Sequence, residues 1–331
     1  MASPALAAVR ALVEQERYGE AAERLIAAAA TGDPDALFEL AHWRVYGNIV
    51  RRDLAAARRL FRESAAAGRP EAALLHAGFL ANGSGGPVDW PGAVATLEQA
   101  SVRSEEARRQ LALVSAMNCD GDGNPRRLPE KTEMRERPRI WAARSLLTES
   151  ECAWLIARAR PYLQPSVVVD PGTGEMVPNP VRRSDGAMFG VLLEDVLVSA
   201  INRRIAALSE TKAECGEPLQ LLRYPPGGEY KAHLDGLPPG GNQRVATVLV
   251  YLNESYEGGE TTFLRTGTTF RGRTGDALLF WNVDADGAPD PMSLHAGLPV
   301  RRGEKLIATR WIRERTFTYP PPEPATGSRF D

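Results

Sequence analysis

The sequence predicts an α+β protein in two parts, an N-terminal α-solenoid of helical hairpin repeats followed by a sandwich or jelly roll of short strands with flanking helices. Three observations carry that expectation. Residues 1–116 are rich in Ala and repeat themselves at one fixed offset. Residues 117–139 are dense in Gly, Pro and charge, which reads as a linker. Beyond 140 the helical texture gives way to short β-branched and aromatic runs separated by Gly and Pro, and a Pro-rich tail follows over 316–331.

The repeat is defined by paired residues. Gly32 recurs as Gly68, Ala36 as Ala72, Gly47 as Gly83, Asp53 as Asp89 and Ala57 as Ala93, each pair 36 residues apart, and Ala21 extends the register backwards. A repeat of this length with helix-period apolar residues implies stacked helical hairpins, because one hairpin cannot bury its own apolar face. Small Ala residues allow close helix approach, and the glycines end each helix. In the linker, Asp120-Gly-Asp-Gly-Asn has the flavour of a calcium loop but lacks the later Glu at the required spacing.

In the second part, Thr148 is a candidate N-cap with a capping-box Glu151 three residues later, and 194–208 reads as another helix. Strands are expected over 219–224, 245–251, 261–263, 277–281 and 306–312. The tail, Pro320-Pro-Pro-Glu-Pro-Ala-Thr-Gly-Ser, is expected to be disordered.

Composition narrows the function classes. Hydrophobic residues make up 43% and charged residues 25%, ordinary values for a soluble globular chain. A net charge of −2 gives no reason to expect nucleic acid or an anionic membrane as partner. The three cysteines, Cys119, Cys152 and Cys215, are scattered without C-x-x-C spacing, which suggests reduced thiols in a cytoplasmic setting. The start of the chain lacks the charged-then-apolar order of a signal peptide, and no window reaches membrane-spanning length, so a cytoplasmic protein is expected.

Only four histidines occur. Two lie in the stretches Tyr224-Pro-Pro-Gly-Gly-Glu-Tyr230-Lys-Ala-His233-Leu-Asp235 and Ser293-Leu-His295, with Lys305 ten residues beyond, opening the run to Trp311. An H-x-D pair followed at a distance by one more His is the sequence form of the two-His-one-carboxylate triad, which holds non-haem Fe(II) on one face and leaves other positions open. On an extended strand residues i and i+2 point the same way, so His233 and Asp235 can share a metal while Leu234 faces elsewhere. The distal His must then come from a neighbouring strand. A lone H-x-D is common in strands without function, and the weight here comes from the ordered set. His42 and His76 fall in the repeats and read as structural.

The elements Arg182-x-Ser184-x-Gly186, Tyr224-x5-Tyr230-x2-His233-x-Asp235, Gln243-Arg-Val-Ala-Thr247, Tyr251-Leu, Gly258-Gly-Glu-Thr261, Gly275-Asp-Ala-Leu-Leu-Phe280, Ser293-Leu-His295 and Lys305-x5-Trp311 appear in order. Together they resemble the catalytic domain of Fe(II)/2-oxoglutarate-dependent dioxygenases, nearest the prolyl 4-hydroxylase branch. With 140–210 as helical support, the resemblance covers more than half the chain and makes 140–315 a double-stranded β-helix domain. The pattern Ala-x-x-Gly-x-x-x-Ala in 1–116 resembles the Sel-one-like subclass of tetratricopeptide-like repeats.

The resemblance implies that His233, Asp235 and His295 ligate iron and that Lys305 pairs with the distal carboxylate of 2-oxoglutarate. Charge chemistry agrees, since a dianion that chelates iron at one end needs a cation at the other. Thr261 and Tyr224 are implied contacts to the same co-substrate, with Tyr251 a weaker one. Arg244, Arg182, Tyr230 and Trp311 lie where the family lines its substrate channel. Tyr224 and Tyr251 read equally well as core aromatics, Trp311 as core packing and Arg244 as a solvated strand end. One departure stands out, Leu298 where many relatives have Cys.

The implied cofactors are Fe(II), 2-oxoglutarate as co-substrate, O2 and ascorbate. The implied reaction is hydroxylation of a prolyl or other residue of a peptide or protein, releasing succinate and CO2, with the target recruited by the repeats. A free amino acid or small metabolite is the alternative substrate. A repeat-based scaffold with a vestigial oxygenase domain is the alternative class, against which the intact triad and Lys305 speak.

Overall fold

A computed structural model describes residues 3–169, 176–179, 181–238 and 240–318. The expected disordered tail falls from residue 319 onward outside the described residues. The chain divides into two compact units, one built on Met1–Gly123 and the other on Asn124–Leu193 with Ala200–Thr318.

The first unit is a row of helices, α1 (Pro4–Glu14), α2 (Tyr18–Ala30), α3 (Pro34–Tyr46), α4 (Leu54–Ala66), α5 (Pro70–Asn82), α6 (Trp90–Ser101) and α7 (Glu105–Ala116), each packing on its sequence neighbours. The repeated residues turn out to be the punctuation and seams of this array. Asp53 and Asp89 are N-caps whose carboxylates accept from the amides of Ala56 and Gly92, satisfying donors that the first helical turn leaves open. Gly47 and Gly83 are C-caps with φ of 73° and 77°, a left-handed conformation that a side chain resists. Ala21, Ala36, Ala57, Ala72 and Ala93 are fully buried, where one methyl lets helices approach. His42 donates from Nδ1 to the Phe38 carbonyl and packs edge-on to Phe61, as a structural residue would.

The second unit carries the strands β1 (Lys131–Arg135), β2 (Ile140–Ala143), β3 (Gln164–Pro165), β4 (Val167–Val169), β5 (Met176–Pro178), β6 (Arg182–Arg183), β7 (Asp185–Met188) and β8 (Gln220–Tyr224). It continues with β9 (Glu229–His233), β10 (Arg244–Tyr251), β11 (Tyr256–Gly258), β12 (Thr261–Phe263), β13 (Thr269–Phe270), β14 (Ala277–Trp281), β15 (His295–Gly297), β16 (Val300–Gly303) and β17 (Lys305–Arg313). An eight-stranded antiparallel sheet runs β1-β2-β14-β10-β17-β8-β7-β3, and a five-stranded one runs β13-β12-β15-β9-β6. Side chains of both sheets, among them Leu249, Phe280 and Ile307 from the first and Phe263 and Phe270 from the second, close one apolar core. This is the jelly-roll arrangement of the sequence reading.

Residues 131–135, expected in a linker, instead form β1 and pair with β2. Their polar composition is that of an edge strand with one anchor, Met134, which packs on the core. In β17 every residue but the last is buried, so its two faces serve different neighbours. Lys305, Ile307, Thr309 and Trp311 face a pocket between the sheets. Arg310 points the other way, its guanidinium donating to the carbonyls of Glu217, Asn202 and Ala213.

Helix α8 (Glu149–Ala159) starts with the expected capping box. The Thr148 hydroxyl accepts from the Glu151 amide at 3.2 Å and the Glu151 carboxylate accepts from the Thr148 amide at 2.8 Å. Arg204, on the helix Val196–Leu208, fixes the same carboxylate through two bonds of 2.9 and 3.0 Å. Thr148→Ala removes one cap bond and is expected to lower stability by about 1 kcal/mol in a denaturant titration. Glu151→Ala, which also strands a largely buried guanidinium, should cost clearly more in the same measurement.

Candidate active site

Antiparallel pairing of β9 with β15 sets His233 directly opposite His295, and β9 ends there. Asp235 follows two residues on. Its Oδ1 lies 3.6 Å from His233 Nε2 and its Oδ2 lies 3.8 Å from His295 Nε2. One donor atom from each residue falls within 4.8 Å of the others, the single such grouping of His, Cys, Asp and Glu among the described residues.

The tautomers are set by backbone. His233 Nδ1 lies 2.7 Å from the Lys231 carbonyl and His295 Nδ1 lies 2.9 Å from the Ser293 carbonyl. A carbonyl only accepts, so each Nδ1 carries the proton and each Nε2 presents a lone pair to the centre. Burial holds His295 neutral, lowering its pKa to about 4 against the opposing pull of Asp235. Burial alone would raise Asp235, but the two facing histidines and the Thr247 hydroxyl outweigh it and keep the carboxyl well below the usual range. Two neutral imidazole donors and one carboxylate, all deprotonated where a cation would sit, fit a divalent metal such as Fe(II).

Tyr230 braces this group, its ring stacked on His233 with centroids 3.5 Å apart and planes 13° apart. Arg182, paired to Tyr230 across β6 and β9, lies over the tyrosine ring, 5.4 Å from its centroid.

Lys305 enters the same pocket from β17, at the position opposite Tyr224 on β8. Only 3% of the residue is exposed. Its ammonium donates to the Gly259 carbonyl at 2.7 Å and lies 5.6 and 5.3 Å from the rings of Tyr224 and Tyr251. Gly258 and Gly259 both have positive φ, and a Cβ on Gly258 would sit 2.4 Å from the Pro299 carbonyl, so glycine is what brings this turn against the lysine. No carboxylate forms a salt bridge with Lys305 among the described residues. Burial therefore dominates and lowers its pKa to about 8, with Glu260 raising it only in part.

Of the remaining residues singled out in the sequence, Tyr224, Thr261, Tyr230 and Trp311 line the pocket. Tyr251 stands behind Thr261, its hydroxyl 2.9 Å from the threonine Oγ1 and outside the pocket wall. Arg244 is neither a free channel cation nor a solvated strand end. It is held by Glu217 through bonds of 2.6 and 2.9 Å and lies 4.3 Å over the Trp311 ring. Arg182 lines a neighbouring surface depression with Asn179 and Ser184. Glu217, which also pairs with Arg313, left no trace in the sequence. Thr247 closes the element Gln243-Arg-Val-Ala-Thr247, whose residues alone give no sign of its contact with Asp235.

The profile described as the 2OG-Fe(II) oxygenase superfamily matches residues 219–313. Prolyl 4-hydroxylase 1 of Arabidopsis thaliana is 43% identical over 199 residues, covering 54% of this chain and 70% of the relative. Probable prolyl 4-hydroxylase 3 of the same plant is 37% identical over 199 residues, covering 53% and 69%. Among solved structures, the viral collagen prolyl hydroxylase of Paramecium Bursaria Chlorella virus-1 is 31% identical and covers 53% of this chain and 95% of that one, at a TM-score of 0.43. A Sel1 repeat protein from Oxalobacter formigenes is 27% identical over 28% of this chain and 71% of that one, at 0.27. The chain belongs to the 2OG-Fe(II) oxygenase superfamily and is a 2-oxoglutarate-dependent dioxygenase, a class that uses Fe(II), 2-oxoglutarate and O2. Within that class it stands with the prolyl 4-hydroxylases.

The isolated ammonium has a thermodynamic signature. Because folding lowers the Lys305 pKa from 10.5 to about 8, the charged form is penalised in the folded state, by about 3 kcal/mol as an order of magnitude. That penalty is present in full below pH 8 and fades as pH rises towards 10.5. Lys305→Met is thus expected to raise the Tm of the protein free of metal and 2-oxoglutarate at pH 7. The gain over wild type should shrink at pH 9.5, and equal Tm values at pH 7 would show that the ammonium is not paying a burial cost.

Proposed function

We propose that this dioxygenase hydroxylates a prolyl residue of a peptide or protein, with Fe(II) held by His233, Asp235 and His295 and 2-oxoglutarate anchored by Lys305. The observation that carries the reading is the buried ammonium of Lys305, which lacks an anionic partner and shares one pocket with the two imidazoles and the carboxylate. A dianionic co-substrate supplies what both ends of that pocket need. Its far carboxylate neutralises Lys305 in a dry site where a charge-assisted bond is strong, while its keto-acid end reaches the metal. Thr261, beside Lys305 on the pocket wall, and Tyr224 offer hydroxyls to the same carboxylate.

Bound iron supplies the activation of O2, one oxygen atom entering the target C–H bond and the other entering succinate as CO2 leaves. The chain's own residues orient and exclude water. Leu222, Leu249 and Ile307 give the pocket apolar walls, and Trp311 closes one side beneath Arg244. The indole Nε1 of Trp311 is buried without a hydrogen-bond partner, which leaves a donor available to a bound group.

A polypeptide target is favoured by the 43% identity to a prolyl 4-hydroxylase. The helical array adds an extended surface of the kind that binds polypeptides, and we assign it a part in recruiting the target. Ascorbate enters this reading as the reductant, on the resemblance to the family. A cytoplasmic setting is supported by the three scattered cysteines, which lack C-x-x-C spacing; no described helix is long and apolar enough to cross a membrane. The domain reading follows as a proposal too, with repeats over 1–116 and the dioxygenase domain over 140–315.

Anaerobic Fe(II) titration tests the metal assignment. Asp235→Ala is expected to lose stoichiometric binding and succinate production, and equal binding by both proteins would refute it. Lys305→Ala leaves one end of a desolvated dianion unpaired, a loss of about 2–5 kcal/mol. Its KM for 2-oxoglutarate should therefore rise roughly tenfold or more, with iron affinity nearly intact. An unchanged KM would exclude Lys305 as the anchor, and Arg310 cannot replace it, since its guanidinium faces away from the pocket. Succinate release with free proline and with prolyl peptides as separate substrates decides the target class. Strong coupled turnover of free proline, with none on peptides, would favour the small-metabolite alternative.

A further inference from the structure

His233 and His295 are aimed by strand pairing and by backbone carbonyls, but Asp235 lies beyond the end of β9. Its aim comes from the opposite sheet. Thr247, in the middle of β10, donates its hydroxyl to Asp235 Oδ2 at 2.7 Å. Asn282, just past the end of β14, donates its side-chain amide to Thr247 Oγ1 at 2.9 Å. Both residues have 0% exposure, and neither lines the pocket.

The direction of this chain follows from proton counting. The Thr247 hydroxyl is the donor to Asp235 Oδ2, so its single proton is committed there. The lone pairs of Thr247 then need a donor, and only the nitrogen end of Asn282 can serve. The cost of that choice is visible at the other end of the amide, where Asn282 Oδ1 is buried and has no hydrogen-bond partner. A side chain chosen for packing alone would not leave a polar atom unmet in order to point its amide at a threonine.

We propose that Asn282 and Thr247 are positioning residues that lock the rotamer of Asp235. With Oδ2 engaged by the threonine, Oδ1, 3.6 Å from His233 Nε2, is the oxygen without that hydrogen bond and the one that would face the metal. This rests on the metal reading above. Outer partners of this kind are worth about 10- to 100-fold in metal affinity.

The test uses the full-length protein, titrated anaerobically with Fe(II), together with the visible absorption spectrum of its Co(II) form. Thr247→Val keeps shape and removes the hydroxyl, whereas Thr247→Ser keeps the hydroxyl. Thr247→Val is expected to weaken Fe(II) binding by about 10- to 100-fold and to change the Co(II) spectrum, with Thr247→Ser close to wild type in both. Asn282→Leu should shift both readouts in the same direction, while the KM for 2-oxoglutarate at saturating iron stays within about twofold. Wild-type Fe(II) affinity in Thr247→Val, or an equal loss in Thr247→Ser, would overturn the relay. Should Thr247→Val not fold, Asn282→Leu decides against Thr247→Ser: weakened binding in the former alone supports the relay, and any other pattern rejects it. Asp235→Ala separates the two levels, because unchanged iron binding there sinks the metal reading itself, whereas a loss there with none in Thr247→Val sinks only the relay.

Discussion

The pairing of β9 with β15 is the constraint on which the rest of the site depends. It is short, and its register shifts between His295 and Gly297, yet it sets two imidazoles opposite each other across a ladder, their centroids 4.2 Å apart. Strand side chains alternate, so a slip of one residue would turn both histidines out of the pocket and bring in Leu234 or Leu294. The ladder is held from both flanks, by β12 alongside β15 and by β6 alongside β9. Phe263 and Phe280 then pack against the His295 ring and leave it little room to turn. Ligand geometry is thus a by-product of sheet register and aromatic packing.

Two buried charges of opposite sign give the pocket its polarity. Asp235 is stabilised by the imidazoles and the Thr247 hydroxyl, while Lys305 has a single carbonyl and two aromatic faces. The unequal treatment has a consequence for binding. The carboxylate has the Thr247 hydroxyl as donor, but the ammonium end is left under-solvated, and an incoming anion would relieve it. An anion bound at Lys305 would draw part of its affinity from a cost already stored in the folded protein.

Much of this was legible in the sequence because the relevant signals are local. The 36-residue offset marks caps and seams, Thr148 and Glu151 mark a helix start, and the H-x-D spacing with a later His marks the metal-type cluster. The expected strands at 219–224, 245–251, 261–263, 277–281 and 306–312 agree with β8, β10, β12, β14 and β17 to within a residue or two at each end. What stayed hidden depends on tertiary neighbours. Arg244 reads as a cation of the substrate channel, and only the fold shows that Glu217 holds it beside Trp311. Tyr251 and Thr261 are each polar residues near apolar runs, and only the fold shows that one stands behind the other. β1 looked like linker because an edge strand needs few apolar residues.

The caps of the helical unit bear on how such a chain can change. The α3–α4 and α5–α6 hairpins each carry at their turn their own glycine, Gly47 or Gly83, at the end of one helix and their own aspartate, Asp53 or Asp89, at the start of the next. The folding instructions are therefore carried inside each segment. Duplication or loss of a whole segment leaves every remaining boundary intact, whereas an insertion of any other length would misplace a cap. The array can lengthen or shorten only in steps of one hairpin, and its reach is inherited in whole units.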